Sequence, residues 1–425
     1  MSVLIRDILA ILPEGAAVCS VAVENGVITA VGDVPKDFRA EKTILGSGKM
    51  LIPGLINAHT HAYMTLFRNV ADDLTFHDWL FGRILPLEDQ LTHEDCYWGS
   101  LLGIMEMLST GTTAFNDMYI FVDAAAQAVY DSGMRAVLSR GLVGDRENAA
   151  GGAQRLHEAK TEIEKWRGYN NISFMLAPHA PYTCDDIYQK EVAEEAHRLG
   201  VRIHTHLSES QSEMAAIRAS YGCTPPELYD KTGLLSDKTV AAHCVYLTDD
   251  DIALLARCGV SVATNPVSNL KLANGIAPIP KMLKAGINVA LGTDGPASNN
   301  TLNMFRELAF LTALHKGTTG DPQAVTAREG LQIATINGAR ALGLTNVGAI
   351  KPGMAADLAI IDLDRPNLQP LNDPVAALAY SMNGSEVETV LVGGKILMEN
   401  RRFLTIDRDR VLHEVSRVCE RIGTR

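Results

Sequence analysis

The sequence predicts an α/β protein whose main domain is a (β/α)8 barrel of the TIM type. Between His59 and Asp294, short runs of β-branched and apolar residues alternate with longer stretches of helical pattern. Strand–helix alternation implies parallel strands joined by crossover helices, and eight such units close into a barrel. A second observation agrees: histidines and acids stand at the carboxyl ends of these runs, the face where such barrels place catalysis.

Eight runs have the length and composition of buried strands, and helical patterns fill the gaps between them. The predicted strands are 55–59, 111–116, 135–140, 173–179, 201–206, 239–243, 260–264 and 287–294. The clearest predicted helices are 185–199, 248–258 and 322–342, with a closing helix at 408–421.

The two ends of the chain have a different pattern. The stretch 21–31 alternates and contains Asn25-Gly26, which is a strong hairpin signal. Strand-like runs return at 357–362 and 389–395. The residues themselves therefore indicate short strands at both ends of the chain.

Five polar residues at the ends of predicted strands form one candidate metal site. His59 and His61 are two apart, and residues i and i+2 of a strand share a face, so both imidazoles point to one place. His206, His243 and Asp294 each end a later run. Imidazole and carboxylate suit zinc and related divalent ions. A lone His-x-His pair is a weak signal, but the ordered set of five indicates a catalytic metal site.

The motifs that carry these residues resemble those of the amidohydrolase superfamily, and within it the deaminases of 5′-methylthioadenosine and S-adenosylhomocysteine. The resemblance covers nearly the whole chain and rests on residues 53–61, 79–88, 206–209, 291–300 and 348–362. It implies a small β-sandwich beside the barrel. We therefore assign residues 1–54 and 351–425 to the small domain and residues 55–350 to the barrel.

The resemblance also implies one divalent ion per subunit, with Zn²⁺ as the expected metal, held by His59, His61, His206 and Asp294. A bound ion lowers the pKa of water from about 15.7 toward about 7, giving a hydroxide that can attack a ring carbon bearing an amino group.

Three residues would handle protons in this reaction. Glu209, three residues after His206, would take the proton of the water and deliver it to a ring nitrogen. Asp294 would pass a second proton toward the leaving amine. In the family, the residue matching His243 does not bind the metal but forms a hydrogen bond to the hydroxide.

Two absences narrow the class of enzyme. Binuclear members of the superfamily bridge two metals with a lysine at the end of the fourth strand, and 173–179 contains none, so we expect a single metal. The His-x-Glu and Pro-Cys-x-x-Cys motifs of cytidine-type zinc deaminases are also missing, and their absence disfavours that class of deaminase.

Substrate recognition depends more heavily on the resemblance. The segment 79–88 is similar to a ribose-recognition loop, in which Glu88 would accept hydrogen bonds from the ribose hydroxyls and Trp79 would wall the pocket. His179 would bind the purine ring, and Arg140 would meet the carboxylate of a homocysteine tail.

The second carboxylate-binding arginine of the family follows a pair of glycines. Here two residues separate Gly151-Gly152 from Arg155. This departure favours methylthioadenosine or adenosine over S-adenosylhomocysteine.

The alternative is another single-metal aminohydrolase, acting on guanine, a pterin or a triazine. Glu88 and Trp79 favour a ribosyl substrate, because a bare base has no diol to bind. A barrel relative without catalysis is disfavoured because the expected ligands and Glu209 are all present.

Bulk properties fit this assignment. A net charge of −12 argues against a nucleic-acid partner, and no run reaches the ~18 apolar residues of a membrane span. Seven unpatterned cysteines indicate a reducing compartment. We expect a cytoplasmic homo-oligomer that binds a small nucleoside, and neither nucleic acid nor membrane.

Other titratable residues have structural explanations. We expect Cys244 to be a buried small hydrophobe and His204 to lie in the barrel interior. We expect six further histidines to be surface residues: His77, His93, His157, His197, His315 and His413.

Overall fold

The computed structural model describes residues 1–424 and begins with five strands. They are β1 (Ser2–Leu12), β2 (Gly15–Glu24), β3 (Val27–Val31), β4 (Lys42–Leu45) and β5 (Lys49–Pro53). The predicted hairpin joins β2 to β3, where Asn25 and Gly26 have φ of 51° and 84°. Both residues lie in the left-handed region that a tight hairpin of this kind needs.

Eight parallel strands follow and lie side by side in chain order. They are β6 (Leu55–Thr60), β7 (Thr112–Tyr119), β8 (Arg135–Leu142), β9 (Ile172–Pro178), β10 (Arg202–Leu207), β11 (Thr239–His243), β12 (Ser261–Thr264) and β13 (Asn288–Leu291). All eight strands predicted from the sequence are therefore present, and the barrel fold is confirmed.

The barrel closes where its first and last strands meet. The amides of Thr293 and Asp294 both donate to the His59 carbonyl, at 3.2 and 3.0 Å. The Thr60 hydroxyl donates to the Asp294 carbonyl at 3.0 Å. We call this contact between the β6 and β13 segments the seam.

Helices surround the barrel and connect its strands. Those up to the end of the barrel are α1 (Phe76–Trp79), α2 (Leu85–Glu88), α3 (His93–Ser109), α4 (Val122–Ser132), α5 (Ala149–Lys165), α6 (Asp186–Leu199), α7 (Gln211–Tyr221), α8 (Pro225–Thr232), α9 (Asp249–Cys258), α10 (Pro266–Lys271), α11 (Ile279–Lys284), α12 (Met304–Thr319), α13 (Ala327–Ile333) and α14 (Ile336–Leu342). A 3₁₀ turn (Ala62–Phe67) follows β6, and a π turn (Leu80–Ile84) joins α1 to α2.

The helical stretch predicted at 322–342 contains two short helices rather than one continuous helix. A capping box of Thr326 and Glu329 starts α13 only at residue 327, and Thr335, with φ −130° and ψ −95°, interrupts the helical backbone. The break lets α14 pack closely on the barrel. A Cβ at Gly338 would lie 2.9 Å from the side chain of Ile56.

The chain then returns to the sheet that its first five strands form. The remaining elements are β14 (Leu358–Asp362), a 3₁₀ turn (Pro366–Leu368), α15 (Pro374–Tyr380), β15 (Val387–Val392), β16 (Lys395–Glu399), β17 (Arg402–Phe403) and α16 (Arg408–Ile422). The nine strands from both ends form one mixed sheet, in which β14 pairs with β5. This sheet has its own apolar cluster, which includes Ile5, Val21 and Ile360.

A buried ion pair joins the small sheet to the barrel. Arg135, at the start of β8, donates from Nε to Asp357 Oδ2 at 2.7 Å and from its Nη2 to Oδ1 at 3.0 Å. Asp357 precedes β14 and also accepts from the Gly393 amide at 2.7 Å. The contact lies at the amino end of β8, opposite the end where the polar candidates cluster.

Three burial predictions have clear outcomes. Cys244 and His204 are fully buried, as expected. The surface assignment of His315 is wrong: its side chain is only 3% exposed, because it faces the barrel from α12. Among residues 1–424, no helix is long and apolar enough to cross a membrane.

Candidate active site

Five side chains converge at the carboxyl end of the barrel, at or shortly past the ends of four strands: β6 carries His59 and is followed by His61, and β10, β11 and β13 place His206, His243 and Asp294. The ligand atoms of His59, His61 and Asp294 all lie within 4.8 Å of one another, and so do those of His59, His206 and His243. Asp294 Oδ1 is 3.3 Å from Nε2 of both His59 and His61. All five residues are at most 9% exposed.

The imidazoles are oriented by hydrogen bonds from their outer nitrogens. In three of them Nδ1 faces an oxygen that can only accept, so Nδ1 carries the proton and Nε2 presents its lone pair inward. The acceptors are the Met118 carbonyl for His61 at 2.6 Å, the His179 carbonyl for His206 at 2.7 Å, and Asn269 Oδ1 for His243 at 2.8 Å.

A short relay sets the fourth imidazole in the same way. The Ser139 hydroxyl donates to the Asp117 carbonyl at 2.8 Å, so its oxygen can accept from His204 Nδ1 at 3.4 Å. His204 Nε2 then accepts from His59 Nδ1 at 2.8 Å. The Nε2 lone pair of His59 is thereby also directed into the site. His204 thus orients His59, a candidate metal ligand. The prediction that His204 lies in the barrel interior did not include this role.

The two carboxylate oxygens of Asp294 contact different neighbours. The hydroxyls of Ser268 and Ser298 donate to Oδ2 at 2.6 and 2.7 Å, which leaves Oδ1 facing His59 and His61. Asp294 itself has a φ of 60°, an uncommon value for a residue other than glycine. Burial would raise the pKa of Asp294, but its histidine neighbours outweigh burial and hold the pKa well below its usual range.

Burial favours the neutral form of two ligand imidazoles, and Asp294 favours the charged form of the third. Burial lowers the pKa of His59 to about 3 and that of His206 well below its usual range. Burial also lowers the pKa of His61, but Asp294 outweighs it and raises the value to about 9. The Asp294 carboxylate therefore stabilises a positive charge beside it, such as a second proton on His61.

These residues fit a bound cation. His59 Nε2 is buried and has no hydrogen-bond partner among residues 1–424. Imidazole nitrogens and a carboxylate oxygen are the donors that zinc and related divalent ions prefer. Each imidazole is also fixed from outside by an oxygen or nitrogen acceptor, as is usual for metal-binding histidines.

Glu209 lies beside this cluster and is fully enclosed. Its Oε1 accepts from Asn274 Nδ2 at 3.0 Å, and its Oε2 is 3.9 Å from His243 Nε2. Burial raises the pKa of Glu209. The buried carboxylate of Glu213 accepts from the amides of Ser208 and Glu209 at 2.7 and 3.0 Å and so fixes the backbone that carries Glu209.

The three residues predicted to bind the ribose and the base lie around this site. Trp79 is buried and donates from Nε1 to the Ala297 carbonyl at 3.3 Å, three residues past Asp294. Tyr119, the last residue of β7, donates its hydroxyl to Glu88, and burial raises the Glu88 pKa to about 7. The His179 ring centroid lies 4.8 Å from that of His206.

Arg140, predicted to bind a carboxylate, and Arg155, the displaced candidate for a second such arginine, are both engaged within the protein. Arg140 pairs with Glu158 on α5 and donates to the Ile120 carbonyl. Arg155 donates to the Val143 carbonyl at 3.0 Å. Neither guanidinium is brought to the histidine cluster, so their role toward a substrate stays a prediction.

Sequence reasoning missed several residues that support the site. Ser268 and Asn269 follow the end of β12, and Ser298 follows β13, so the rule that marks polar residues past barrel strands could have found them. Glu213 lies on α7 and Glu307 on α12. No sequence signal distinguishes a buried acid on a helix from an exposed one.

A closed (β/α)8 barrel with this donor set at the carboxyl ends of its strands defines a metal-dependent barrel enzyme. The chain belongs to the amidohydrolase family, whose model matches residues 50–397. A 5-methylthioadenosine/S-adenosylhomocysteine deaminase from Caldanaerobacter subterraneus subsp. tengcongensis is 47% identical over 95% of this chain and 94% of its own length. A 5'-deoxyadenosine deaminase from Methanosarcina mazei is 45% identical over 96% of this chain and 94% of its own length.

Solved structures with the same fold include zinc-bound enzymes. An adenosine deaminase from Xanthomonas campestris with bound zinc superposes with a TM-score of 0.95 at 36% identity, covering 100% of this chain and 99% of the other. An atrazine chlorohydrolase from Arthrobacter aurescens with zinc has a TM-score of 0.92 at 26% identity, covering 98% of this chain and 100% of the other.

Proposed function

We propose that this enzyme hydrolyses the 6-amino group of adenosine-type nucleosides to give the inosine form and ammonia. The observation that carries the proposal is Glu209, an enclosed carboxylate with one oxygen 3.9 Å from His243 Nε2 at the edge of the ligand cluster. The deaminase names of relatives that match nearly the whole chain support it.

We assign one divalent ion, zinc by analogy with the zinc-bound neighbours, to His59, His61, His206 and Asp294. When bound, such an ion supplies a polarising charge and a water of lowered pKa. No lysine lies in β9 or at its end, which supports a single ion rather than a bridged pair.

Glu209 is the proton carrier of the proposed reaction. Its carboxylate accepts a proton from the attacking water as the new C–O bond forms at the amino-bearing carbon. The same proton then goes to the adjacent ring nitrogen, which takes up the electron pair displaced from the ring. Because burial raises its pKa, Glu209 holds this proton more readily than an exposed glutamate would.

Asp294 and His243 act on the other side of the reacting carbon. His243 keeps its proton on Nδ1, held by Asn269, and offers Nε2 to the hydrogen of the attacking water. Asp294 takes the remaining proton of the added hydroxyl group as the C=O bond forms and passes it to the departing amine, so that the C–N bond breaks and ammonia leaves. Ser268 and Ser298 hold the carboxylate in place during this transfer.

Glu88, Trp79 and His179 form the proposed nucleoside pocket. Glu88 accepts hydrogen bonds from the ribose diol, Trp79 closes one wall, and the His179 ring, 4.8 Å from that of His206, contacts the base. This arrangement favours a ribosyl substrate over a free base or a triazine.

The engaged arginines favour a substrate with an uncharged 5′ group. Arg140 already has Glu158 as its counter-ion, and Arg155 is displaced in sequence and bonded to Val143. We therefore propose 5′-methylthioadenosine, 5′-deoxyadenosine and adenosine as better substrates than S-adenosylhomocysteine.

Ammonia release from a panel of compounds tests this function. The purified zinc-loaded enzyme is assayed on the three uncharged nucleosides, on S-adenosylhomocysteine, and on guanine, a pterin, cytosine and an aminotriazine. We expect activity on the nucleosides and none on the free bases. Activity on a free base or triazine with none on any nucleoside would refute the assignment.

A further inference from the structure

A fully buried carboxylate outside the reaction centre holds two loops of the site together. Glu307, 0% exposed on α12, accepts from the Val267 amide at 3.1 Å and from Asn299 Nδ2 at 2.5 Å. Val267 lies in the segment after β12, and Asn299 lies in the loop after β13. One side chain thus spans two consecutive barrel loops.

The first loop depends on Glu307 for its start. The short helix α10 has Pro266 at its beginning and no side-chain cap from Asn265, so the Val267 amide needs an acceptor from elsewhere. Glu307 supplies it. The next two residues act in the site: Ser268 donates to Asp294 Oδ2 at 2.6 Å, and Asn269 accepts from His243 Nδ1 at 2.8 Å.

The second loop is held in the same way. Asn299 Nδ2 is shared between Glu307 and the Thr293 carbonyl, the latter at 2.6 Å. The residue before it, Ser298, donates to Asp294 Oδ2 at 2.7 Å. The two serines that donate to Asp294 are therefore each next in sequence to a residue that Glu307 holds. Ser268 follows Val267, and Ser298 precedes Asn299.

We propose that Glu307 is a positioning residue that sets the orientation of Asp294 and His243 through Val267 and Asn299. Its hydrogen bonds go to Val267 and Asn299 rather than to the ligand cluster, and it acts by fixing the two serines and Asn269. Its loss frees the Asp294 carboxylate to rotate and His243 to turn, and so weakens both ion binding and the chemical step.

Glu386 is a matched control for this proposal. It is 1% exposed and has the same kinds of partner, an asparagine amide and a backbone amide: Asn367 Nδ2 at 2.5 Å and the Asn383 amide at 3.3 Å. It directly precedes β15 in the small sheet, however, and supports no site residue. Glu307→Gln and Glu386→Gln each replace one accepting oxygen by an amide group that cannot accept.

The test compares zinc affinity, kinetics and melting temperature for the two variants and the unmodified enzyme. Partners that orient metal ligands typically contribute about 10–100-fold in affinity or activity. We expect Glu307→Gln to lower zinc affinity, measured by competition with a chelator, and kcat by that amount, with KM for methylthioadenosine changed less than about threefold. Glu386→Gln should lower the melting temperature only.

Equal effects of the two variants on zinc affinity and kcat overturn the proposal. If Glu307→Gln does not fold, Asn299→Ala removes one of the two contacts and is judged by the same two measurements. The kinetic part rests on the proposed function, but zinc affinity is measured without substrate. Failure of the unmodified enzyme to release ammonia therefore refutes the proposed function, and equal zinc affinities refute the role of Glu307.

Discussion

Glu209 offers the most direct test of the chemistry at the scale of a single residue. We expect Glu209→Gln to keep its zinc but to lose roughly 10²–10⁴-fold in kcat, because an amide cannot carry the proton. Steady-state kinetics with metal analysis checks this, and Glu191→Gln, an exposed acid on α6, is the control. A kcat within about threefold of the unmodified value would assign proton transfer to another residue.

The ion pair between Arg140 and Glu158 gives a prediction of gained activity. Glu158→Gln removes the acid that forms an ion pair with Arg140 and leaves that end of the guanidinium able to meet a substrate carboxylate. A hydrogen bond to a charged group contributes about 1.5–3 kcal/mol, and each ~1.4 kcal/mol is tenfold. We therefore expect kcat/KM for S-adenosylhomocysteine to rise by roughly one to two orders of magnitude.

Two comparisons control that experiment. Activity on methylthioadenosine, which has no carboxylate, should stay the same. Glu164→Gln changes an exposed acid on the same helix that pairs with Arg167 at 3.1 Å, and should leave both substrates unaffected. An equal gain on both substrates would mean that Arg140 does not recognise the carboxylate.

Glu162 gives a prediction about pH and stability. Burial raises the pKa of Glu162 from 4.5 to about 7, although the charge of the neighbouring Arg140 opposes the shift. The folded state therefore binds this proton more tightly than the unfolded state, and the protein loses stability as pH rises from 4.5 to about 7. Glu162→Gln should melt at a higher temperature than the unmodified protein at about pH 8, with a smaller difference at about pH 5. A difference that does not depend on pH would contradict this.

At the scale of elements, the start of α7 controls where Glu209 lies. Ser210 caps the helix, and Glu213 reaches back to the amides of Ser208 and Glu209. Glu213→Gln leaves one of these amides without an acceptor, and small displacements of catalytic groups cost up to about 100-fold. We expect kcat to fall between about 10- and 100-fold while zinc binding is unchanged.

A second helix start provides the matched variant. Glu227 has the equivalent position in the capping box of α8, where its carboxylate accepts from the Thr224 amide at 2.8 Å. Glu227→Gln should lower the melting temperature slightly and leave kcat unchanged. If both variants had the same kcat, Glu213 would serve only to cap its helix.

Strand ends could be predicted from the sequence because each strand is a short apolar run followed by a polar residue. His59, His206 and His243 could therefore be placed from the pattern alone. The contacts that orient them could not, because Ser139 and Asn269 meet the histidines only after the barrel closes. His315 was misassigned because a lone histidine on a helix carries no signal of which face is buried.

At the scale of the whole molecule, the Arg135–Asp357 pair couples the small sheet to the barrel. Removing one partner of a buried ion pair leaves the other charge uncompensated and costs about 3–5 kcal/mol. We expect Asp357→Asn to destabilise the protein by that amount in urea unfolding, with kcat unchanged because the pair lies at the far end of the barrel. Asp362→Asn, which breaks the half-exposed pair with Arg365 at 2.9 Å, should cost less than about 1 kcal/mol.

The seam has a consequence for how the enzyme matures. Thr60 and Asp294, which meet there, are 234 positions apart in the chain. Contacts of such long range form late, because a large loop must first lose its freedom. A nascent chain on the ribosome therefore has no complete ion site until its last barrel strand has emerged and closed on the first. Ion uptake in this enzyme should mark the closure of the barrel, and a pulse of zinc should be bound only by chains whose first and last barrel strands have met.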